Sequence, residues 1–370
     1  MASLAAEGPL KGIRVLEFTG LGPAPFCAML LSDLGADVIA VDRAGAPAPG
    51  ADLVTRRGRL HLPLDLKSPE DNRLCLDLFE RAEIVLEGFR PGVMERLGLG
   101  PDVALARNPA LVYGRMTGWG QSGPYAPMAG HDINYLAITG ALHAIGPAER
   151  PVPPLNLVGD FGGGALYLAM GVLAALLHAR ETGEGQVVDA AISDGAASLM
   201  AMLYGYLGGG RWRDAREANR LDGGAHFYGT YRCADGEWIA IGAIEPQFYG
   251  ELLARLEISD ADFEAQLDFR RWPSLRDKLQ ARFAERTRAE WCALLEGTDV
   301  CFAPVLSMTE APSHPHNRAR QAFVTRDGIA QPAPAPRFGA TPGMIQAGAS
   351  GDDEVADRLS RWGVAARRRD

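Results

Sequence analysis

The sequence predicts an α/β protein: a large Rossmann-like domain on an open parallel sheet, plus a small α+β domain. In the first half, short β-rich runs alternate with helical runs, the pattern of a parallel sheet covered on both faces. Beyond a Gly/Arg/Asp-rich stretch, Gly205 to Gly224, the pattern changes to paired β-rich runs followed by helices. The length, 370 residues, suffices for one large and one small domain. The expected division is 1–200 for the large domain, 201–224 for a linker, 225–310 for the small domain and 311–370 for a return segment.

The elements follow in order. GIRVLEF, Gly12–Phe18, is a strand buried on both faces. A Gly/Pro turn leads into the helix PFCAMLLSDLG, with Pro25 near its first position and Gly35 closing it. ADVIAVDR, Ala36–Arg43, is the second strand. Ser68-Pro69-Glu70-Asp71 starts a helix that runs to about Ala82, with Ser as cap and acids at the positive helix end. EIVLEGF is a strand, PGVMERLGLG a helical piece, and LVYGRMTGWG, Leu111–Gly120, a further strand. The apolar run from Ala165 to Leu177 reads as a buried helix, shorter than the ~20 residues that span a bilayer. QVVDAAISDGAASLMAMLYGYL supplies a short strand and another apolar helix. In HFYGTYRCADGEWIAIGAI, two β-rich runs meet at Ala234-Asp235-Gly236 as a hairpin, and helices follow from about Gln247, Ser274 and Ala289. The tail, with APSHPH and QPAPAPRF, reads as irregular.

Composition narrows the function. A net charge of −9 argues against nucleic acid as the main partner, while leaving room for a small anionic ligand on a local basic cluster. Five cysteines without a C-x-x-C pair fit reduced thiols, and neither a zinc site nor another metal site is expected. MASLAAEGPLKG carries no signal-peptide pattern, so the expected location is the cytoplasm, with no membrane partner.

Gly20-Leu21-Gly22 after the first strand, with Asp42 ending the second, imitates a dinucleotide fingerprint. The third glycine position holds Pro25, which breaks the motif where helix and strand must pack closely. Three other constellations can carry chemistry. In MTGWGQSGPYAPMAGHDINYLAITGAL, His131-Asp132 follows a glycine-rich loop, and an imidazole exchanges protons near neutral pH. Asp160 precedes Gly162-Gly163-Gly164 and an apolar helix, and either caps that helix or faces a reacting centre that the glycines let approach. Arg43, Arg56, Arg57, Arg59, Lys67 and Arg90 lie in loops near strand ends, either as a solvated face or as a phosphate site. Glu245 is an acid at a helix start, and Met200 and Met202 are either core or an adaptable apolar surface.

These segments together resemble the α-methylacyl-CoA racemases of the family III CoA-transferase (CaiB/BaiF) superfamily. The resemblance covers nearly the whole chain and rests on GLGPAPFCAMLLSDLGADVIAVDR, LEGFRPGVMERLGLGP, RMTGWGQSGPYAPMAGHDINYL, PPLNLVGDFGGGALYL, GQVVDAAISDG, LDGGAHFYGTY and IAIGAIEPQFY. It implies that (2R)- and (2S)-2-methylacyl-CoA thioesters are interconverted by two bases, His131 and Asp160, with Glu245 orienting the histidine. The N–H groups at the start of the glycine-led helix then suit an enolate-like oxyanion. The resemblance further implies substrate and CoA contacts at Arg43, at Leu64, Asp65, Leu66 and Lys67, at Arg90, and at Gly130, Asp132, Ile133, Asn134 and Tyr135. It implies no cofactor beyond the coenzyme A of the substrate, and an interlocked homodimer. The alternative within the superfamily is a CoA-transferase using Asp160 as nucleophile, which has no need of a second base.

Overall fold

The computed structural model describes residues 7–45, 53–349 and 351–365. They form two units: 1–139, 155–199 and 324–370 make the larger, and 140–154 and 200–323 the smaller. Residues 140–154, expected in the large domain, group with the small unit, and the return begins at 324 rather than 311.

In chain order the large unit opens with β1 (Arg14–Phe18), α1 (Pro23–Asp33), β2 (Asp37–Arg43), β3 (Leu60–Leu64) and α2 (Pro69–Phe79). It continues with β4 (Ile84–Glu87), α3 (Val93–Arg96), α4 (Pro101–Arg107), β5 (Val112–Thr117) and α5 (Asp132–Ala137). After α6 (Ala141–Ala144), which belongs to the small unit, come a π-helix (Leu157–Ala165), α7 (Leu166–Thr182), β6 (Gln186–Ala191) and α8 (Ile192–Leu199). The strands form one six-stranded sheet in the order β3-β2-β1-β4-β5-β6, every pair parallel. β3 was not among the expected elements, because Pro63 interrupts its run; an edge strand tolerates that proline. Ser68 takes the cap position of α2 but makes no side-chain capping bond.

Alternation along each strand sends side chains to opposite faces. Val15, Val38, Leu86 and Val112 pack with Leu31 of α1 and with Leu168 and Val172 of α7. Leu16, Phe18, Ile39, Val85 and Tyr113 pack with Leu78 and Phe79 of α2 and with Leu359 of the C-terminal helix, Asp352–Arg361. The helical run Leu157–Thr182 is 26 residues, long and apolar enough by composition to cross a membrane, unlike the shorter run read from sequence. Only one face of α7 is buried: Leu166, Met170 and Leu177 remain 50%, 61% and 72% exposed.

The arginines of TRRGR do not form a ligand loop. Arg57 clasps Asp33, Arg56 bonds Asp42 at 2.7 Å, and Arg59 pairs with Glu17 at 3.1 Å with both side chains fully buried. His61 takes the other Asp42 oxygen at 2.8 Å, which leaves that acid poorly placed to hold a ribose. Burial pushes the Glu17 carboxyl up and Arg59 pulls it back, so the pair stands or falls together. Arg59→Met is expected to cost about 3–5 kcal/mol in chemical denaturation, because it strands a buried carboxylate. The double variant Glu17→Gln/Arg59→Met should recover most of that, and additive losses would disprove the account.

The small unit contains α9 (Ala201–Gly208), β7 (Tyr228–Arg232), β8 (Trp238–Gly242), α10 (Pro246–Arg255), α11 (Trp272–Phe283), α12 (Arg288–Leu295), β9 (Phe302–Pro304) and α13 (Pro315–Ala319). β7 and β8 pair antiparallel across the expected turn, and β9 adds to β8. The three main helices start within two residues of their expected positions. Phe227, Ile239, Leu252, Phe283 and Trp291 fill the unit's own core. The tail, expected to be irregular, contains a two-stranded ribbon, β10 (Phe323–Arg326) with β11 (Ile329–Pro332).

Candidate active site

Strand order reverses direction between β1 and β4, and an open parallel sheet leaves a crevice at the carboxyl ends of such a pair. A cavity of about 600 Å³ lies there. Its walls are the Gly20–Pro23 turn after β1, Gly88–Pro91 after β4, Thr117–Trp119 after β5, the 128–131 loop, Tyr135 and Asp160. The sequence-predicted residues that meet in this cavity are His131, Asp160, Arg90, Gly130 and Tyr135.

His131 is the exposed residue at the N-cap position of α5, in extended conformation, and its backbone N–H donates to Asn134 Oδ1 at 3.1 Å. Tyr135 is held by its hydroxyl, which donates to the Gly130 carbonyl, and by an edge contact with Trp119 at 4.7 Å between ring centroids. Gly118 makes room for it: a Cβ there would lie 2.1 Å from the Tyr135 ring.

Asp160 sits on the π-helix, a rare geometry frequent at functional sites. Its carboxylate faces the β1–α1 turn, where a Cβ on Gly22 would stand 3.5 Å from Oδ2; Gly22 has φ +71°. Burial raises the Asp160 pKa most, and the negative charge of Asp132 raises it further; a hydrogen bond with Asn156 and the nearby His131 act against this. Asn156 was not singled out in the sequence, although a partner one helical turn before Asp160 is a readable signal.

Two expectations need correction here. Three N–H groups near the start of the glycine-led helix are already taken and do not face an oxyanion: Asp160 N–H donates to Asp132 Oδ1 at 2.7 Å, Gly159 N–H also donates to Asp132, and Phe161 N–H donates to the Asn156 carbonyl at 3.2 Å. The glycine triplet serves packing rather than substrate approach. A Cβ on Gly163 would meet Ala196 N at 2.6 Å, and one on Gly195 would meet the Gly163 carbonyl oxygen at 1.8 Å. Gly164 faces Ile192, Pro23 and Met116. These contacts seat the π-helix directly on α8.

The other implied CoA contacts divide. Arg43 is exposed at the carboxyl end of β2. Leu66 and Lys67 line a separate recess of about 500 Å³ with Arg73 and Arg96, two cations the sequence reading did not single out. Leu64 is in the core, so its side chain reaches no ligand, and Asp65 is occupied in a turn, accepting from the Lys67 N–H at 3.1 Å. Ile133 and Asn134 are exposed on α5, while Asp132 is buried. Glu245 belongs to the small unit, exposed at the N-cap position of α10, with no capping bond from its side chain.

The chain matches the model of CoA-transferase family III over residues 10–351. It is 46% identical over 341 residues to the alpha-methylacyl-CoA racemase of Mus musculus, covering 91% of this chain and 88% of that one. The Homo sapiens alpha-methylacyl-CoA racemase is likewise 46% identical, covering 90% and 88%. Among solved structures, Rv3272 of M. tuberculosis superposes with a TM-score of 0.76 at 28% identity, covering 95% of this chain and 99% of that one. A CAIB/BAIF family protein from Brucella suis shares the fold with a TM-score of 0.81 at 24% identity, covering 96% and 100%.

Proposed function

The chain belongs to CoA-transferase family III, and from that premise we propose that it interconverts (2R)- and (2S)-2-methylacyl-CoA thioesters by two-base transfer of the α-proton. The observation that carries this reading is one cavity, at the switch point of the sheet, lined by both His131 and Asp160. A carboxyl group raised by burial is a better base than a solvated one, and imidazole gives up or takes a proton near neutral pH. With the α-carbon between them, Asp160 takes the proton from one face, leaving an enolate-like intermediate, and His131 delivers a proton to the other. The reverse reaction exchanges the roles.

Arg43, Lys67 and Arg90, the basic residues near the strand ends, are assigned to the coenzyme A phosphates. The same reading includes an interlocked homodimer in which the partner's Glu245 orients His131. The apolar stripe of Leu166, Met170 and Leu177 supports a surface that another chain covers.

Proton NMR of the protein with one epimer of a 2-methylacyl-CoA in D₂O tests the reaction. The methyl doublet should collapse as the α-proton is lost and the other epimer appears. His131→Ala should slow this by about 10²–10⁴-fold. If the α-proton persists and CoA moves only when a second carboxylic acid is added, Asp160 is a nucleophile and the transferase reading replaces this one.

A further inference from the structure

The resemblance places Asp132 among the residues that contact the ligand, but its carboxylate faces inward. It is buried, with Oδ1 accepting the Asp160 N–H at 2.7 Å, and the Gly159 N–H donates to the same carboxylate. The backbone at Gly159 is shaped around that group: a Cβ there would lie 2.2 Å from Asp132 Oδ1 and 2.8 Å from Cγ. Asp132 is also the covalent neighbour of His131, at the first position of α5. The residue after one base is therefore hydrogen-bonded to the peptide of the other.

We propose that Asp132 is a positioning residue: its buried carboxylate fixes the peptide that carries Asp160 at a set place relative to His131. This rests on the reading of Asp160 as a proton acceptor. The groups around Asp160 divide by sign. His131 from α5 and Asn156 from the segment before the π-helix favour its ionised form, whereas Asp132 alone among the neighbouring charges opposes it. Tyr135 feels both carboxylates, and Arg90 offsets them at that phenol rather than at Asp160. Burial raises the Asp132 pKa most, and its two N–H donors act against that by favouring the charged form.

Asp132→Asn keeps an acceptor oxygen for the two N–H groups and removes the charge. The acid limb of the kcat profile should move to lower pH, and plateau kcat should fall about tenfold as the base weakens, with KM changed by less than about twofold. Carboxyl ¹³C titration should show Asp160 ionising at lower pH in the variant, and Asp132 doing the same in Asp160→Asn, since the coupling is reciprocal. Gly159→Ala, which pushes the carboxylate away without altering any charged residue, should reduce kcat by about 100-fold through misplacement. A rise in KM alone, with the acid limb and the ¹³C titration unmoved, would make Asp132 a substrate contact and overturn the proposal. Absence of α-proton exchange in the unsubstituted protein would instead overturn the proposed function, while the ¹³C titrations would still decide the role of Asp132.

Discussion

Asp160→Asn should slow α-proton exchange by about 10³-fold and, at the same time, raise the thermal stability of the protein. On the two-base reading proposed above, the activity loss follows because an amide cannot accept the α-proton. The stability gain follows from the cost of holding the carboxylate where it is: burial and the Asp132 charge both penalise its ionised form. A carboxyl whose folded pKa is raised adds stability below its unfolded pKa and loses that contribution as pH rises through the folded value. At neutral pH, therefore, the ionised Asp160 weakens the fold and Asn relieves the strain. Below about pH 4, where the unfolded carboxyl is itself protonated, the advantage of Asn should vanish. Melting curves at pH 7 and near pH 3.5 check this, and a variant less stable than the parent at pH 7 would mean that Asp160 holds the fold together instead.

Gly195→Ala has the next largest expected effect, although the residue is remote from the proton-transfer chemistry. The added methyl would lie 1.8 Å from the Gly163 carbonyl oxygen, and since that obstacle is backbone, no rotamer change relieves it. Separating the π-helix from α8 is expected to cost about 3 kcal/mol, at the upper end for overpacking. The π-helix carries Asp160, so a displacement near 1 Å should also lower kcat by about 100-fold. Gly205→Ala is the control: on α9 its Cβ meets nothing within 4 Å, and it should be neutral or stabilising by up to about 1 kcal/mol. Denaturant melts and exchange rates of the two variants compare them directly. Equal stabilities would show that the close approach of Gly163 and Gly195 is dispensable.

The parallel sheet was legible because its central strands are continuous apolar runs, bounded by turns and separated by helices of ordinary length. β3 was not, because HLPLDLK is short, contains proline and also reads as a basic loop. The arginines of TRRGR carry no sequence mark that separates a ligand site from a buried ion pair; the difference lies in Glu17 and Asp33, on other elements. His131 and Asp160 were each visible as unusual residues, yet only family resemblance joined them, since they approach through sheet topology and not through periodicity. The glycine triplet drew notice for a sound reason, that something comes close to its backbone. What comes close is α8, with a glycine of its own at the contact.

The π-helix has a consequence of register. It holds more residues per turn than the α-helix that continues from it, so it behaves as an α-helix into which extra sequence has been inserted. Removing one codon between Phe161 and Ala165 would therefore be absorbed by relaxation towards α geometry, with α7 keeping its buried stripe and the side chains before the deletion close to their former direction. The segment thus tolerates a change of chain length that, in a regular α-helix, would turn every side chain before it by about 100° around the axis.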